Sequence, residues 1–355
     1  MFDTVLKTLF PSKSDSEVSA RLDHLQRTRK VAEKVTGQSA ADTLEKDTKR
    51  FQIQQGVSPL FYSYLFASSD KDEADQELTI YISQRVRKVI NKPKLLLEAL
   101  PAMPESVSKV IDVLQDEDFN INELLALIER EPSMAGDLIK LANSARYFRG
   151  DKPVSDIRVA FTFMGSQGLM DGVLQVFLKQ FSVSTHRHFK QFGTRIWEHS
   201  FRTALHSQQI AAERLGIEQK GVGYFVGLIR NLGYMVLFQL ISESFKFVRP
   251  DAKPCTETLI NLLEQYSMQI TGLIAEHWQL PNEVKIALAH QKLPFEQSEG
   301  VAKCVQEGNL LSQYIALIQA GLADEKTVSH EYLSSLNSKT SQQIITTLTN
   351  PKLES

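Results

Sequence analysis

The chain contains very little cysteine. Only Cys255 and Cys304 occur among 355 residues, and they are far apart and form no Cys-x-x-Cys pair. This excludes a disulfide scaffold and a thiolate zinc site, and it is typical of a protein from a reducing compartment. With 42% hydrophobic residues, a chain of this length can bury a large core without covalent cross-links.

The chain also lacks an excess of either charge. Lys and Arg number 40 and Asp and Glu 42, which gives a formal charge of -2. Because no global basic field is present, we expect no nucleic-acid partner.

Long hydrophobic runs are rare, and the strongest candidate for a membrane span is residues 222–241. Arg230 and Asn231 lie at its centre, where a charge in hydrocarbon would cost about 3 kcal/mol. We therefore predict a buried helix, or two short ones, and no membrane span. Residues 1–10 lack the basic start, apolar core and cleavage site of a secretory signal, so we expect a cytoplasmic protein.

Helical periodicity recurs along the whole chain, and no convincing alternating strand pattern is found, so the predicted fold is all-α, a multi-helical bundle. The first predicted helix has its apolar residues at helical spacing and ends at Pro11. These residues are Phe2, Val5, Leu6, Leu9 and Phe10. We expect this helix to pack on its own chain, with a partner or a membrane surface as the alternative.

The pattern predicts three parts. Residues 1–92 form a helical N-terminal extension, 93–295 a central domain, and 296–355 C-terminal helices that pack on that domain. In the extension we expect an amphipathic helix between about residues 18 and 37 and a mobile segment at 39–49. The aromatic cluster at 60–66 is predicted to be a buried short helix rather than a platform for stacking bases.

A long helix is predicted to end at Gly216. Trp197, Phe201 and Ala204 mark its apolar face, and His199 and His206 align on the opposite face. Three nearby glycines resemble a dinucleotide-binding loop only superficially, since no predicted strand precedes them. They are Gly221, Gly223 and Gly227.

Several short motifs occur in the central part in a fixed order. They are Leu100-Pro-Ala-Met-Pro104, Glu131-Pro-Ser-Met-Ala135, Leu141-Ala-Asn-Ser-Ala145, Phe163-Met-Gly165, Trp197-Glu-His-Ser200, Gly227-Leu-Ile-Arg-Asn-Leu-Gly233, Trp278-Gln-Leu-Pro281 and His290. Through their order and spacing, residues from about 95 to 292 resemble the HDOD family, the HD-related output domains of bacterial signalling proteins. The resemblance implies an HD-like helical domain with a regulatory or scaffolding role.

The resemblance also implies where a metal site has been lost. Catalytic HD relatives bind metal through a first His, an adjacent His-Asp pair, and later carboxylates or histidines. His199 matches the first His, but Arg230 and Asn231 replace the pair. A guanidinium stays protonated and offers no lone pair, and a neutral amide does not compensate for a lost carboxylate.

Two further positions depart from the pattern of the catalytic relatives. Met268 stands where they often have a His, and His290 is followed by Gln291 where they often have His-His. We therefore predict no catalytic residue, no bound metal and no cofactor. The candidate site is a vestigial pocket formed by the residues His199, Arg230, Asn231, Met268 and His290.

Individual side chains at the site have alternative interpretations. For Arg230 we expect an internal ion pair with an acidic neighbour; the alternative is a fork-like contact with a phosphate or carboxylate. His199 is expected to be hydrogen-bonded or exposed. Asn143 and Ser144 lie near a helix end, where a capping role is expected and contact with a ligand or partner is the alternative.

These observations predict a non-catalytic regulatory protein that acts through contacts with a protein partner in signal transduction. The alternative is a protein that binds a nucleotide or other phosphate-bearing anion in the vestigial pocket. A residual metal-dependent phosphohydrolase is the third hypothesis.

Overall fold

The computed structural model describes residues 2–10, 27, 59–67, 74–113, 120–181, 188–323 and 335–349. These residues form helices and turns, and none of them lies in a strand. The predicted all-α fold is therefore confirmed. The predicted helix at 18–37, apart from Arg27, and the segment at 39–49 lie outside the described residues.

The described part of the chain contains fifteen α-helices. Those before residue 100 are α1 (Asp3–Leu9), α2 (Pro59–Phe66), α3 (Gln76–Asn91) and α4 (Lys94–Glu98). The next group is α5 (Glu105–Val113), α6 (Ile121–Glu129), α7 (Pro132–Ala142), α8 (Ile157–Lys179), α9 (Phe192–Leu215), α10 (Lys220–Ile229), α11 (Leu232–Val248), α12 (Thr256–His277) and α13 (Asn282–Ala289). The last two are α14 (Gly300–Gln319) and α15 (Lys339–Thr349).

Helix α1 packs on its own chain, as predicted. All five apolar residues of its stripe are buried in the main core, and the ring of Phe10 lies 6.0 Å from that of Tyr81 in α3 and 6.1 Å from that of Phe247 in α11. Helix α2 is likewise part of the core, which confirms the prediction for the aromatic cluster.

Helix α9 lies at the centre, between α10 and α14, and small residues permit close contact on both sides. A Cβ on Gly227 of α10 would lie 2.9 Å from the Cα of Ala204, and a Cβ on Gly308 of α14 would lie 2.8 Å from the backbone nitrogen of Ser207. Of the glycines that imitate a dinucleotide loop, Gly223 and Gly227 therefore serve helix packing.

The prediction of which face of α9 is buried is wrong in one respect. His199 is buried together with Ala204 and Ser207, whereas Trp197 and Phe201 are only partly buried. The reason is that close helix packing on two sides favours small and polar side chains, so the largest apolar residues do not mark the inner face.

The apolar stretch from Ile217 to Val248 is long and apolar enough to cross a membrane by length and composition alone. However, 89% of its most apolar window is buried inside the protein. It comprises a short 3-10 turn, Ile217–Gln219, and the two helices α10 and α11, which meet at Arg230 and Asn231.

Helix α15 is attached to the core by two carboxylates from other helices. Glu213 of α9 accepts hydrogen bonds from the backbone N–H groups of Lys339 and Thr340, at 2.8 and 2.9 Å. The fully buried Glu307 of α14 accepts from Ser338 N at 2.7 Å and pairs with Arg214 at 2.8 Å. Carboxylates at a helix N-terminus satisfy its free N–H groups.

Candidate functional site

His199 is buried in the middle of α9, and both of its ring nitrogens are hydrogen-bonded to α14. Nε2 lies 2.9 Å from Oδ1 of Asn309, and Nδ1 lies 3.0 Å from Oγ of Ser312. The same Asn309 oxygen accepts from Nη1 of Arg230. Because that oxygen is an acceptor, Nε2 must be the protonated nitrogen, and Nδ1 is left as an acceptor that faces the Ser312 hydroxyl. The same hydroxyl also lies 3.2 Å from the carbonyl oxygen of His199, so its one proton serves both acceptors. Each imidazole nitrogen therefore has a polar partner on α14.

Arg230 lies at the end of α10, where the chain turns into α11. Its Nε donates to Oε1 of Gln291 at 3.0 Å, and its Nη1 donates to Oδ1 of Asn231 and Oδ1 of Asn309, each at 2.9 Å. In the described part of the chain it forms no ion pair. The expected ion pair with an acidic neighbour is thus wrong, because neutral amide oxygens solvate the guanidinium instead.

Asn231 is the N-cap residue of α11, but its side chain does not cap that helix. The residue is 1% exposed. Its Oδ1 accepts from Arg230, whereas its buried Nδ2 has no hydrogen-bond partner. A buried donor without a partner costs about 1–3 kcal/mol, so this group requires an explanation.

A small cavity lies between α2, α9, α11, α14 and the turn that joins α10 to α11. Its volume is about 10 Å³, counted over the positions that the centre of a water molecule can take. This is room for about one water molecule. Its lining residues are Phe61, Tyr62, Leu65, Ile196, His199, Arg230, Asn231, Tyr234 and Gln313.

Helix α2 forms one wall of this cavity. The ring of Phe61 lies 4.6 Å from that of His199, and the hydroxyls of Tyr62 and Tyr234 lie 3.2 Å apart. Arg195 of α9 stacks over Tyr64 at 4.5 Å and donates to its backbone carbonyl oxygen. The N-terminal extension therefore covers the candidate site with buried aromatic side chains.

The electrostatics of the site follow from its burial. Desolvation, followed by repulsion from Arg230, lowers the pKa of His199 from 6.5 to about 3. Burial also raises the pKa of both Tyr62 and Tyr234. At neutral pH the histidine is neutral and the tyrosines are protonated, so Arg230 is the charged side chain of the cavity lining.

The structure brings His199, Arg230 and Asn231 together, but it places Met268 and His290 elsewhere. Met268 is buried in α12 and His290 is partly buried after α13; neither is among the residues that line the cavity. Gln291, not His290, reaches the site. Its amide nitrogen donates to the carbonyl oxygens of Ala287 and Ala302, both at 3.0 Å, which fixes its oxygen toward Arg230.

Asn143 makes a structural contact at the end of α7. Its Nδ2 donates to the carbonyl oxygens of Ile139 and Val154, and its Oδ1 accepts from Val154 N at 2.8 Å. The neighbouring Ser144 has a buried hydroxyl without a hydrogen-bond partner. The expected capping role fits Asn143, which joins the helix end to the loop before α8.

The residues at this site do not fit a divalent metal ion. Arg230 places a fixed positive charge there, both nitrogens of His199 are engaged, and the cavity lining contains no carboxylate. Across the residues that the structure describes, no group of three or more His, Cys, Asp and Glu side chains could hold a metal. Divalent ions require anionic or lone-pair donors in such a set.

Sequence reasoning missed the contribution of α14. Asn309, Ser312 and Gln313 are buried polar residues of α14, and their spacing of three and four residues places them on one side of it. A stripe of polar residues at helical spacing could have indicated that α14 faces another polar group.

The comparisons with known proteins agree with this architecture. The HDOD domain family model matches residues 100–294, which is more than half of the chain. The chain therefore belongs to the HDOD family, as the sequence motifs predicted. Helix α2 lies before the matched segment and α14 after it, so two walls of the candidate site come from outside that segment.

Individual relatives are distant. An uncharacterized protein of Treponema pallidum is 23% identical over 258 residues, which are 71% of this chain and 48% of that protein. The chain thus spans about half the length of this curated relative. The crystal structure of an HDOD domain protein of unknown function from Geobacter sulfurreducens is 14% identical, has a TM-score of 0.51, and aligns over 78% of this chain and 96% of its own. It shows the same helical fold.

A second crystal structure is that of a protein from Marinobacter aquaeolei that is described as a signal transduction protein. It is 19% identical, with a TM-score of 0.49, over 78% of this chain and 67% of its own.

Proposed function

We propose that this chain is a non-catalytic regulatory protein that acts in cytoplasmic signal transduction through contacts with a protein partner. The observation that carries this proposal is the position of Arg230. Its guanidinium occupies the place at which the HD resemblance puts a metal ligand, and three amide oxygens and a neutral histidine surround it. Such a site repels a divalent cation and cannot activate water through one.

The size of the cavity argues against the nucleotide alternative. A space for about one water cannot hold a nucleotide unless α2 moves away from the site.

Metal analysis and phosphoesterase assays test the absence of catalysis. We expect protein purified without chelator to contain less than stoichiometric metal, and no hydrolysis of phosphomonoesters or cyclic dinucleotides with added Mn²⁺. The matched variant combines Arg230→His with Asn231→Asp, which restores the family's ligand pair and should increase Mn²⁺ binding. One tightly bound metal per wild-type chain, lost in His199→Ala, contradicts the proposal.

Affinity capture with the full chain tests the contact with a partner. An enriched protein should bind the purified chain directly when the complex is reconstituted. If the chain enriches no protein that also binds it in purified form, the regulatory part of the proposal fails.

A further inference from the structure

We propose that the cavity beside Arg230 is a binding site for a small monovalent inorganic anion, of the size and charge of chloride. This inference rests on the proposed function only in requiring that no metal ion occupies the site. Four observations support it.

The first observation is an uncompensated positive charge. The hydrogen-bond partners of Arg230 are neutral amide oxygens, and within the described residues its Nη2 makes no hydrogen bond and no carboxylate pairs with it. Arg230 is partly buried, and a charge that has lost part of its hydration is costly unless it is paired. An anion in the adjoining cavity would supply the missing counter-charge.

The second observation is a donor that points to a ligand. Asn231 lines the cavity and is 1% exposed, and its Nδ2 has no partner. An anion would accept this N–H together with a free N–H of Arg230, and charge-assisted hydrogen bonds are about twice as strong as neutral ones.

The third observation concerns the two tyrosines. Tyr62 and Tyr234 are both protonated at neutral pH, and their hydroxyls lie 3.2 Å apart. Only one proton can lie between the two oxygens, so one O–H remains for another acceptor. The N-terminus of the 17-residue helix α11 also lies at the cavity, since Asn231 is its N-cap residue. The N-terminus of a helix carries a partial positive charge and favours anions.

The fourth observation is the size of the cavity and the nature of its walls. It has room for about one water molecule, which excludes phosphate and larger oxyanions in this conformation. Phe61, Leu65 and Ile196 form apolar walls, which strengthen the attraction between Arg230 and an anion because they lower the local dielectric. A water molecule could accept from the same donors, but it would have to direct its own protons toward them. A halide only accepts.

Bromide is the direct probe, because it replaces chloride and scatters anomalously. Crystals of the full chain grown or soaked in bromide should show one anomalous peak in this cavity, within hydrogen-bonding distance of Arg230 and of Asn231 Nδ2. A crystal in which the cavity is empty, or holds a bound water only, overturns the proposal.

Measurements of thermal stability in solution provide a second test of chloride binding. At constant ionic strength, the Tm of the wild-type protein should rise with the logarithm of the chloride concentration once that concentration exceeds the Kd, and it should not rise with a large organic anion. The reason is that a ligand that binds only the native state stabilises it. Asn231→Asp places a carboxylate beside Arg230 and should abolish this rise. Arg146→Gln, which removes an exposed cation, should leave it unchanged.

An equal chloride response in the wild type and in Asn231→Asp contradicts the site. Metal analysis of the same samples separates the two proposals, since bound metal argues against the proposed function whereas missing bromide argues only against the anion site.

Discussion

His199 and Arg230 donate to the same oxygen atom, Oδ1 of Asn309, and each does so over 2.9 Å. This shared acceptor fixes the imidazole as a donor at Nε2 and holds the guanidinium beside it. Asn309 belongs to α14, which follows the segment that the family model matches. The site is therefore completed by a helix from outside that segment.

Asn309→Asp should change the protonation of His199. The substituted carboxylate would lie within hydrogen-bonding distance of both the imidazole and the guanidinium, and a nearby opposite charge favours the charged imidazole. We expect the pKa of His199 to rise from about 3 by at least one unit, as measured by NMR titration of the ring nitrogens. Ser312→Ala, which removes a neutral contact, is the control. An unchanged pKa in Asn309→Asp would show that this oxygen does not set the state of the histidine.

Gly227→Ala should destabilise the protein. The added Cβ would lie 2.9 Å from the Cα of Ala204, and this backbone contact cannot be relieved by a rotamer change. We expect a loss of about 1–3 kcal/mol in the free energy of unfolding, as for overpacked cores, measured by urea denaturation. Gly272→Ala is the matched control. Its Cβ would meet no atom within 4 Å, so it should stabilise α12 by about 0.5–1 kcal/mol. Equal effects would refute the close contact of α9 with α10.

Phe61→Ala should expose His199 to reagents. The Phe61 ring is 3% exposed and lies 4.6 Å from the imidazole, so its removal opens one wall of the site. We expect faster modification of His199 by diethylpyrocarbonate, located by mass spectrometry, and a loss of about 3–5 kcal/mol in stability. Tyr64→Ala, on the more exposed side of α2, should leave the modification rate near that of the wild type. If both variants react equally, α2 does not shield the histidine.

Ionisation of the Glu264 carboxyl group should lower the stability of the protein as the pH rises toward 7 and above. The residue is 7% exposed, and burial raises its pKa from 4.5 to about 7. Between these values the folded state binds more protons than the unfolded state, so this contribution is present below pH 4.5 and is lost as the pH rises through 7.

The variant Glu264→Gln tests this dependence. Since it removes the need to ionise a buried carboxyl, it should exceed the wild type in stability by more than about 1 kcal/mol at pH 8 and by much less at pH 5. Denaturant unfolding at both pH values measures the difference. Glu257→Gln, an exposed change on the same helix, should show no such gap.

The fold was more predictable than the site because helices leave a local signal. The spacing of Val5, Leu6 and Leu9 determines α1 without reference to the rest of the chain. Contacts between distant residues leave no such signal. Neither the approach of α14 to His199 nor that of α2 to Tyr234 could be read from periodicity.

The role of Arg230 shows the same limit in chemical terms. Replacement of the metal-binding pair is visible in the sequence, but the partners of the new side chain are not. An acidic neighbour was expected on general grounds, because buried charges are usually paired. In the structure, Gln291, Asn231 and Asn309 supply three amide oxygens instead. These residues are separated along the chain and become neighbours only through the packing of α10, α13 and α14.

Glu307→Ala should release α15 without unfolding the rest of the protein. Glu307 is fully buried, pairs with Arg214, and accepts from Ser338 and Ser341 at 2.7 Å each. Its removal leaves Arg214 without its counter-charge, and breaking such a pair typically costs about 3 kcal/mol.

We expect hydrogen exchange to accelerate across residues 338–349 and to remain slow in α9 and α10. Glu213→Ala removes an exposed cap from the same helix and should cost only about 1 kcal/mol, with a smaller change in exchange. If α15 stays protected in Glu307→Ala, its attachment depends on the apolar contacts of Leu336, Ile344 and Ile345 with α14. If instead protection is lost throughout the core, Glu307 stabilises the whole bundle rather than this helix alone.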